Sequence, residues 1–271
     1  MPTERIDFAD LPDTVQHDVI AHTGPLLKVE TTASGFNSAI SARLTTETGD
    51  VYVKGLPEGH PRQWTQGREA AVGPLLEGIS PRVLWRVETG GWDLLGFEYV
   101  QARHADYAPA SPDLEAMAVL LAHLSTVRAP EGVELKEAGH RLRDHAPKEA
   151  LAYFAGDALL HTDPNTTNVM ITPGGGARLV DWAWATRGAP WLDAGYWVVW
   201  LIAEGDHSPA SAEAWAARMP AFQAAPPEAV DAFALANESV WSGTFKEQPD
   251  DWTRRVHEAT KTWAAHRSCR P

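Results

Sequence analysis

The chain has one cysteine, Cys269, in 271 residues, so no internal disulfide framework exists and a reducing compartment is expected. Lysine is scarce: there are six Lys against seventeen Arg. Basic residues as a whole are outnumbered, 23 to 36, for a formal net charge of -13. That balance argues against a nucleic acid or an anionic membrane as partner. Long apolar runs are missing too. The most apolar segment, residues 196–203, is far shorter than the roughly 20 residues a bilayer-spanning helix needs and reads as a buried helix. Met1-Pro2-Thr3-Glu4-Arg5 lacks the basic start and apolar core of a secretion signal, so a cytoplasmic location is expected. No internal repeat or long low-complexity stretch stands out. Against these absences, 44% hydrophobic content and twelve tryptophans supply ample core for one large or two smaller domains.

The most informative stretch is His161-Thr162-Asp163-Pro164-Asn165-Thr166-Thr167-Asn168. It follows a short apolar strand at residues 158–160. A second apolar strand, 177–180, runs directly into Asp181-Trp182. Each residue alone has a bland reading, because Asp-Pro-Asn is a turn and Asp or Asn caps helices and turns. The ordered combination suits phosphoryl transfer. One carboxylate, Asp163, orients an attacking hydroxyl, while the amide oxygen of Asn168 and the carboxylate of Asp181 hold Mg2+ against nucleotide phosphates. Mg2+ accepts hard oxygen ligands and takes only one or two carboxylates from a protein.

Such chemistry needs a cation on the phosphates, and Val51-Tyr52-Val53-Lys54 supplies one inside an alternating strand. Glu69, in the helical pattern opening at Arg68, can reach back to fix Lys54. Upstream, Thr32-Ala33-Ser34-Gly35-Phe36-Asn37-Ser38-Ala39 lies between two strands. Ser34, Gly35, Asn37 and Ser38 make it a candidate phosphate-covering turn, although a single Gly there is equally compatible with a plain hairpin. It is neither a Walker loop nor a GxGxxG. Gly174-Gly175-Gly176 sits between two short strands and reads as a hairpin.

These residues resemble the aminoglycoside phosphotransferase and choline-kinase-like family, the small-molecule branch of the protein-kinase fold. His161-x-Asp163, Asn168 and Val180-Asp181-Trp182 carry the resemblance, with Lys54 and Glu69 as its ion pair. Leu94-Leu95-Gly96-Phe97-Glu98-Tyr99-Val100 is similar to its last N-lobe strand and hinge. The resemblance implies that the backbones of Glu98 and Val100 hold the adenine, with Phe97 behind it. It also implies that His161 and Asp193 support the catalytic loop. Thr162, Thr166 and Thr167 depart from the Gly, His and Gly frequent in this loop. The ending Ser268-Cys269-Arg270-Pro271 lacks the acidic-aromatic terminus that some aminoglycoside kinases use to grip substrate.

The fold implied is α+β, a protein-kinase-like two-lobe fold. An N-lobe over residues 1–100 carries a five-stranded antiparallel sheet and one helix, with a hinge at about 98–104 and a helical C-lobe over 105–271. Strands are expected at about 26–31, 38–45, 50–55, 82–88 and 92–100, with helices at 11–24 and 62–77. Helices then follow from Ser111-Pro112, through an apolar stripe of Leu114, Met117, Leu121 and Leu124, and near 137–155, 191–204, 210–222, 227–241 and 250–267. The function expected is ATP- or GTP-dependent O-phosphorylation of a small-molecule hydroxyl. The acceptor would be an aminoglycoside or related antibiotic, cationic in the simplest case. Trp191, Glu204, Asp206 and Glu238 are the candidate acceptor residues, although core packing is the default for a Trp and a solvated surface for an acid. A metabolite kinase for choline, ethanolamine, homoserine or a sugar shares the chemistry. A nucleotide-binding pseudokinase is the reading from another class. Nothing in the sequence separates ATP from GTP or monomer from dimer.

Overall fold

A computed structural model describes residues 5–32 and 38–269. The chain divides into two compact units, Met1–Gln101 and Ala102–Pro271. Ser34, Gly35 and Asn37 lie outside the described residues.

The first unit contains α1 (Asp13–Thr23), β1 (Leu26–Thr31), β2 (Ile40–Thr46), β3 (Gly49–Pro57), α2 (Trp64–Val72), β4 (Val83–Thr89) and β5 (Trp92–Glu98). The strands form one antiparallel sheet in the order β1-β2-β3-β5-β4. Alternation along β2 and β3 sends Ile40, Ala42, Leu44 and Val53 into a core with Leu94, and α1 covers it with Val15 and Val19. Burial of this kind contributes roughly 1.5–3 kcal/mol per large aliphatic side chain. The β4–β5 hairpin turns on Gly90 and Gly91, both at positive φ. Gly96 in β5 is required by packing, since a Cβ there would lie 2.1 Å from the Trp85 ring. Buried Asp93 is held by Arg86 through bonds of 2.9 and 2.7 Å, so its charge is both paired and hydrogen-bonded. The last strand ends at Glu98, two residues before the expected limit at 100.

The second unit contains β6 (Arg103–His104), α3 (Asp113–Leu124), β7 (Lys136–Glu137), α4 (Ala138–Arg141), α5 (Leu151–Phe154), β8 (Ala158–Leu160), β9 (Val169–Ile171), β10 (Ala177–Leu179) and β11 (Thr186–Gly188). After them come α6 (Leu192–Gly205), α7 (Pro209–Ala216), α8 (Pro220–Gln223), α9 (Pro227–Glu247) and α10 (Asp251–Ser268). Two small three-stranded sheets are present, β10-β9-β6 and β7-β11-β8. Along α3 the expected stripe of Leu114, Met117, Leu121 and Leu124 is buried. Its first residue is Asp113, with Pro112 just before it. The Asp113 carboxylate accepts two bonds from Arg103, at 2.6 and 2.7 Å, and the Asp106 N–H at 2.9 Å.

Two expected helices are broken, each by proline. Residues 137–155 form α4, which ends at Arg141, a loop, and α5, with Pro147 extended (ψ 145°) and without an N–H to carry a helix through. Residues 210–222 split into α7 and α8 because Met219, ahead of Pro220, is extended (ψ 121°). In the other direction, α9 runs six residues past the expected 241. The α10 start is a capping box of Asp250 and Thr253.

The core of this unit is aromatic. Trp191 meets Phe154, Phe222 and Phe233, and Phe233 meets Trp263. Buried Glu213 accepts the Trp263 Nε1–H at 2.7 Å and pairs with Arg267 at 3.3 Å, fixing α10 against α7.

Candidate active site

In the first unit, β3 places Lys54 opposite Ser41 of β2 and Leu95 of β5. Its Nζ lies 2.5 Å from Glu69 Oε2 of α2, and both side chains are largely buried. The ammonium also sits 5.7 Å from the Phe97 ring centroid. Strand and helix together therefore hold one positive charge at a fixed place, as expected from the sequence. Ser38 is buried beside the start of β2. Glu98 ends β5, donating its N–H to Arg82 O at 2.9 Å while its carboxylate accepts from Arg82 Nε at 2.8 Å. Val100 follows the strand and is half-buried.

In the second unit, the loop from His161 to Asn168 connects β8 to β9. Its shape is set by groups that reach in from elsewhere. The two oxygens of Asp193, at the start of α6, accept the N–H of His161 at 2.8 Å and of Thr162 at 2.7 Å. Burial pushes the Asp193 acid up to about 6, opposed by these two hydrogen bonds. Thr162 is held at φ 70°, where a β-branched residue is strained. Its Oγ1 accepts from Arg141 at 2.7 Å, and the same Arg141 nitrogen reaches Thr186 Oγ1 at 2.8 Å. His161 donates from Nε2 to Val180 O at 2.9 Å and accepts the Asp163 N–H at Nδ1 at 3.3 Å. That network assigns the neutral Nε2–H tautomer. The imidazole thus ties the residue before Asp181 to the residue that bears the candidate base.

Asp163 is the most perturbed carboxyl of the loop. It accepts Asn165 Nδ2 at Oδ1 (3.0 Å) and Asn168 Nδ2 at Oδ2 (3.1 Å). Its acid is pushed up to about 7, first by burial and then by the charges of Asp181 and Glu204, against the pull of Asn165 and Arg141. One edge of the residue is still partly open to solvent, so the carboxyl is enclosed yet reachable. Asn168 spends its amide N–H groups on Asp163, at the carboxylate and at the backbone carbonyl (3.0 Å). That leaves its amide oxygen as the atom suited to a cation. Asp181 stands in the left-handed region (φ 65°) with one carboxylate oxygen buried. Two hard oxygen donors beside a phosphate chain suit Mg2+, which takes the rest of its shell from phosphates and water. Among the described residues no group of three or more His, Cys, Asp or Glu is placed to hold a metal by itself.

Sequence reasoning placed Asp163, Asn168, Asp181, His161 and Asp193, and the structure brings these together in one unit. The four candidate acceptor residues fare differently. Trp191 is 5% exposed and its ring is used in the core described above. Glu204 takes the Thr166 N–H at Oε2, 2.8 Å, so it is a brace of the loop. Asp206 is the left-handed residue that closes the C-terminus of α6. Glu238 faces His257 of α10 at 3.6 Å. Three contributors were missed. Asn165 accepts the N–H groups of Thr167 and Asn168 while donating to Asp163, an Asx-turn pattern that the local sequence does carry. Tyr107 donates its hydroxyl to Pro164 O at 2.7 Å, and Arg141 holds Thr162. These lie 57 and 21 positions from their partners, and no local pattern signals them.

No family model and no curated protein sequence matches the chain. Solved structures do match. Choline kinase LicA from Streptococcus pneumoniae is 15% identical with a TM-score of 0.62, over 93% of this chain and 99% of that one. An aminoglycoside phosphotransferase from Alicyclobacillus acidocaldarius is 14% identical with a TM-score of 0.61, over 95% of each chain. Spectinomycin phosphotransferase APH(9)-Ia, in complex with ADP and spectinomycin, is 11% identical with a TM-score of 0.56, over 93% of each. The chain has the fold of these small-molecule kinases. At such identities the likeness establishes the fold, and the reaction is argued from the site.

Proposed function

We propose that the protein transfers the γ-phosphoryl group of ATP or GTP to a hydroxyl of a small molecule. The observation that carries this is the second-unit loop. A buried carboxyl, Asp163, is poised near neutrality, and Asn168 offers an amide oxygen and Asp181 a carboxylate close by. A base whose acid lies near the working pH is suited to accept a proton from an alcohol. Asp163 orients the acceptor hydroxyl and receives its proton as the oxygen bonds to phosphorus. The bond from phosphorus to the bridging oxygen breaks, and the nucleoside diphosphate leaves with that electron pair. Lys54, fixed by Glu69, holds nucleotide phosphates. Asn168 and Asp181 would hold Mg2+, whose charge would offset that of nucleotide phosphate. Asp193, Glu204, Tyr107 and Arg141 keep the loop in shape so that orientation need not be regained at each turnover.

The acceptor class we favour is a hydroxylated antibiotic or related natural product, with antibiotic resistance as the biological outcome. Similarity to an antibiotic kinase solved with ADP and spectinomycin supports it. The second reading, a metabolite alcohol, is supported by the similarity to choline kinase. Among the described residues no helix is long and apolar enough to cross a membrane, and we propose a cytoplasmic enzyme. The test is a thermal shift with Mg-ATP and Mg-GTP, followed by mass spectrometry for added phosphate across aminoglycosides, peptide antibiotics, macrolides and amino alcohols. A nucleotide at a hundredfold excess over its Kd stabilises by about 2.7 kcal/mol. Absence of any shift with either nucleotide removes the reading.

A further inference from the structure

Three tryptophans from three helices meet on one side of the second unit. Trp200 of α6 stacks on Trp252 of α10 at 5.9 Å, with 28° between the rings. Trp241 of α9 stands nearly perpendicular to both, at 6.0 and 5.3 Å. Trp200 is buried, Trp241 is half-buried, and Trp252 is 45% exposed. The cluster therefore presents indole surface to solvent beside a buried aromatic backing. The cluster is also close to the chemistry. Trp200 lies one helical turn before Glu204, on the same face of α6, and Glu204 binds the Thr166 N–H of the catalytic loop.

The helix surface beside the cluster is unusual. Residues 239–245 of α9 read Ser-Val-Trp-Ser-Gly-Thr-Phe, with no charge, and every one is half-buried. Of the acids on these helices, Glu204 is bonded to the loop and Asp251 pairs with Arg254 at 3.0 Å, while Glu238 faces the His257 ring at 3.6 Å. The cluster is no cage for an ammonium either. A cation between two ring faces keeps each centroid within about 6 Å of itself, so opposing rings stand well apart. Here the rings fill that space with one another.

We propose that Trp241 and Trp252, backed by Trp200 and flanked on α9 by Ser242 and Phe245, form the acceptor subsite, and that it selects a neutral hydroxylated molecule with an apolar ring face. This rests on the phosphotransfer reading above. The indole shelf stacks on the ring, the Ser242 hydroxyl offers a polar contact, and the ring's hydroxyl is presented to Asp163. Pockets of this make-up, mostly apolar with a few placed polar groups, suit a neutral ligand better than a polycation.

The test uses the full chain and three probes: 4-nitrophenyl β-D-glucoside as the neutral ring, kanamycin as the polycation, and choline as the small cation. With Mg-ATP the neutral probe is expected to be phosphorylated with the highest kcat/KM. Trp252→Ala should raise its KM about tenfold or more, with kcat within a few-fold. Trp252→Phe should restore most of the affinity. The Mg-ATP thermal shift should be unchanged in both variants. A tenfold preference for kanamycin or choline overturns the proposal, as does an unaltered KM in Trp252→Ala. Where no probe is phosphorylated, calorimetric binding of the glucoside decides. Binding weakened by Trp252→Ala supports the subsite, and no binding at millimolar concentration overturns it. A lost Mg-ATP shift with intact glucoside binding would instead remove the phosphotransfer reading and leave the subsite standing.

Discussion

Asp163→Asn should make the protein more stable while abolishing its activity, and the gain should depend on pH in a defined way. The carboxyl ionises near 3.8 in an ordinary setting and at about 7 in the folded protein. Each pH unit of such a displacement is worth about 1.4 kcal/mol, so holding the ionised group in the fold at pH 8 costs about 4 kcal/mol at most. The partly open edge of the residue makes this an upper bound. The introduced amide removes that cost, part of which is the repulsion from Asp181 and Glu204. Against it stands a lost hydrogen bond. Asn165 and Asn168 each donate to a different oxygen of Asp163, and an amide offers only one acceptor atom. An unpaired buried donor costs about 1–3 kcal/mol. The net expectation at pH 8 is a gain of about 1–3 kcal/mol, at roughly 2–4 °C in Tm per kcal/mol.

A carboxyl whose folded value is raised contributes its stability in full below pH 3.8 and loses it as pH climbs through about 7. The variant should therefore be level with or somewhat below the wild type at pH 4.5, gain steadily from about pH 4 to 7, and stay flat above 8. The assay is urea or thermal unfolding of nucleotide-free protein in EDTA, wild type against variant, from pH 4.5 to 8.5. Turnover of an identified acceptor should fall by about 10²–10⁴. A variant that melts below the wild type at pH 8, or a difference that ignores pH, would show that Asp163 is not the strained, poised base described here.

Further outcomes follow from the same geometry. Asp193→Ala leaves the N–H groups of His161 and Thr162 without acceptors; kcat should fall at least tenfold and Tm by several degrees, with the Mg-ATP shift retained. Glu204→Ala should lower kcat through the freed Thr166 N–H, whereas Glu204→Gln, which keeps an acceptor, should recover most of it; equal losses in both would mean that the charge, not the brace, matters. Lys54→Met and Asp181→Asn should each shrink the Mg-ATP thermal shift, and an unchanged shift in both would place the nucleotide elsewhere. Arg267→Met leaves Glu213 buried without its cation and should destabilise the second unit by about 3–5 kcal/mol, read by urea unfolding, with the Mg-ATP shift at low denaturant intact.

Much of this was legible in the sequence because the relevant signals are local. Lys54 and Glu69 sit in an alternating strand and a periodic helix, and the loop motif spans eight residues between two apolar strands. The five-stranded sheet follows from period-two patterning and glycine turns. Where the reading failed, the deciding partner was distant or a proline outvoted the apolar pattern. Residues 137–155 carry enough apolar spacing to suggest one helix, but α4 stops at Arg141 and Pro147 then bars a continuous helix into α5. Glu204 and Glu238 look like surface acids available to an amine until their partners, Thr166 and His257, are seen 38 and 19 positions away. The acceptor side was therefore the least legible part, since its character depends on which acids are already engaged.

The departures from local rules gather at the loop. Three non-glycine residues among those described have positive φ: Thr162, Asp181 and Asp206. Asp206 needs no special account, because a left-handed residue commonly closes a helix. The other two flank the proposed site, and neither would persist without outside support. Thr162 is fixed by Asp193 and Arg141, and the residue before Asp181 is fixed by His161. Left-handed backbone at a β-branched residue costs of order 1–3 kcal/mol, and the buried acids Asp163 and Asp193 add more at neutral pH. Chains spend stability in this way where a precise arrangement of charged atoms is selected over a comfortable one. An enzyme that must hold a base, an amide oxygen and a second carboxylate together, before any ligand arrives, is bound to show this pattern. A loop serving only to join β8 to β9 would have no reason to keep it.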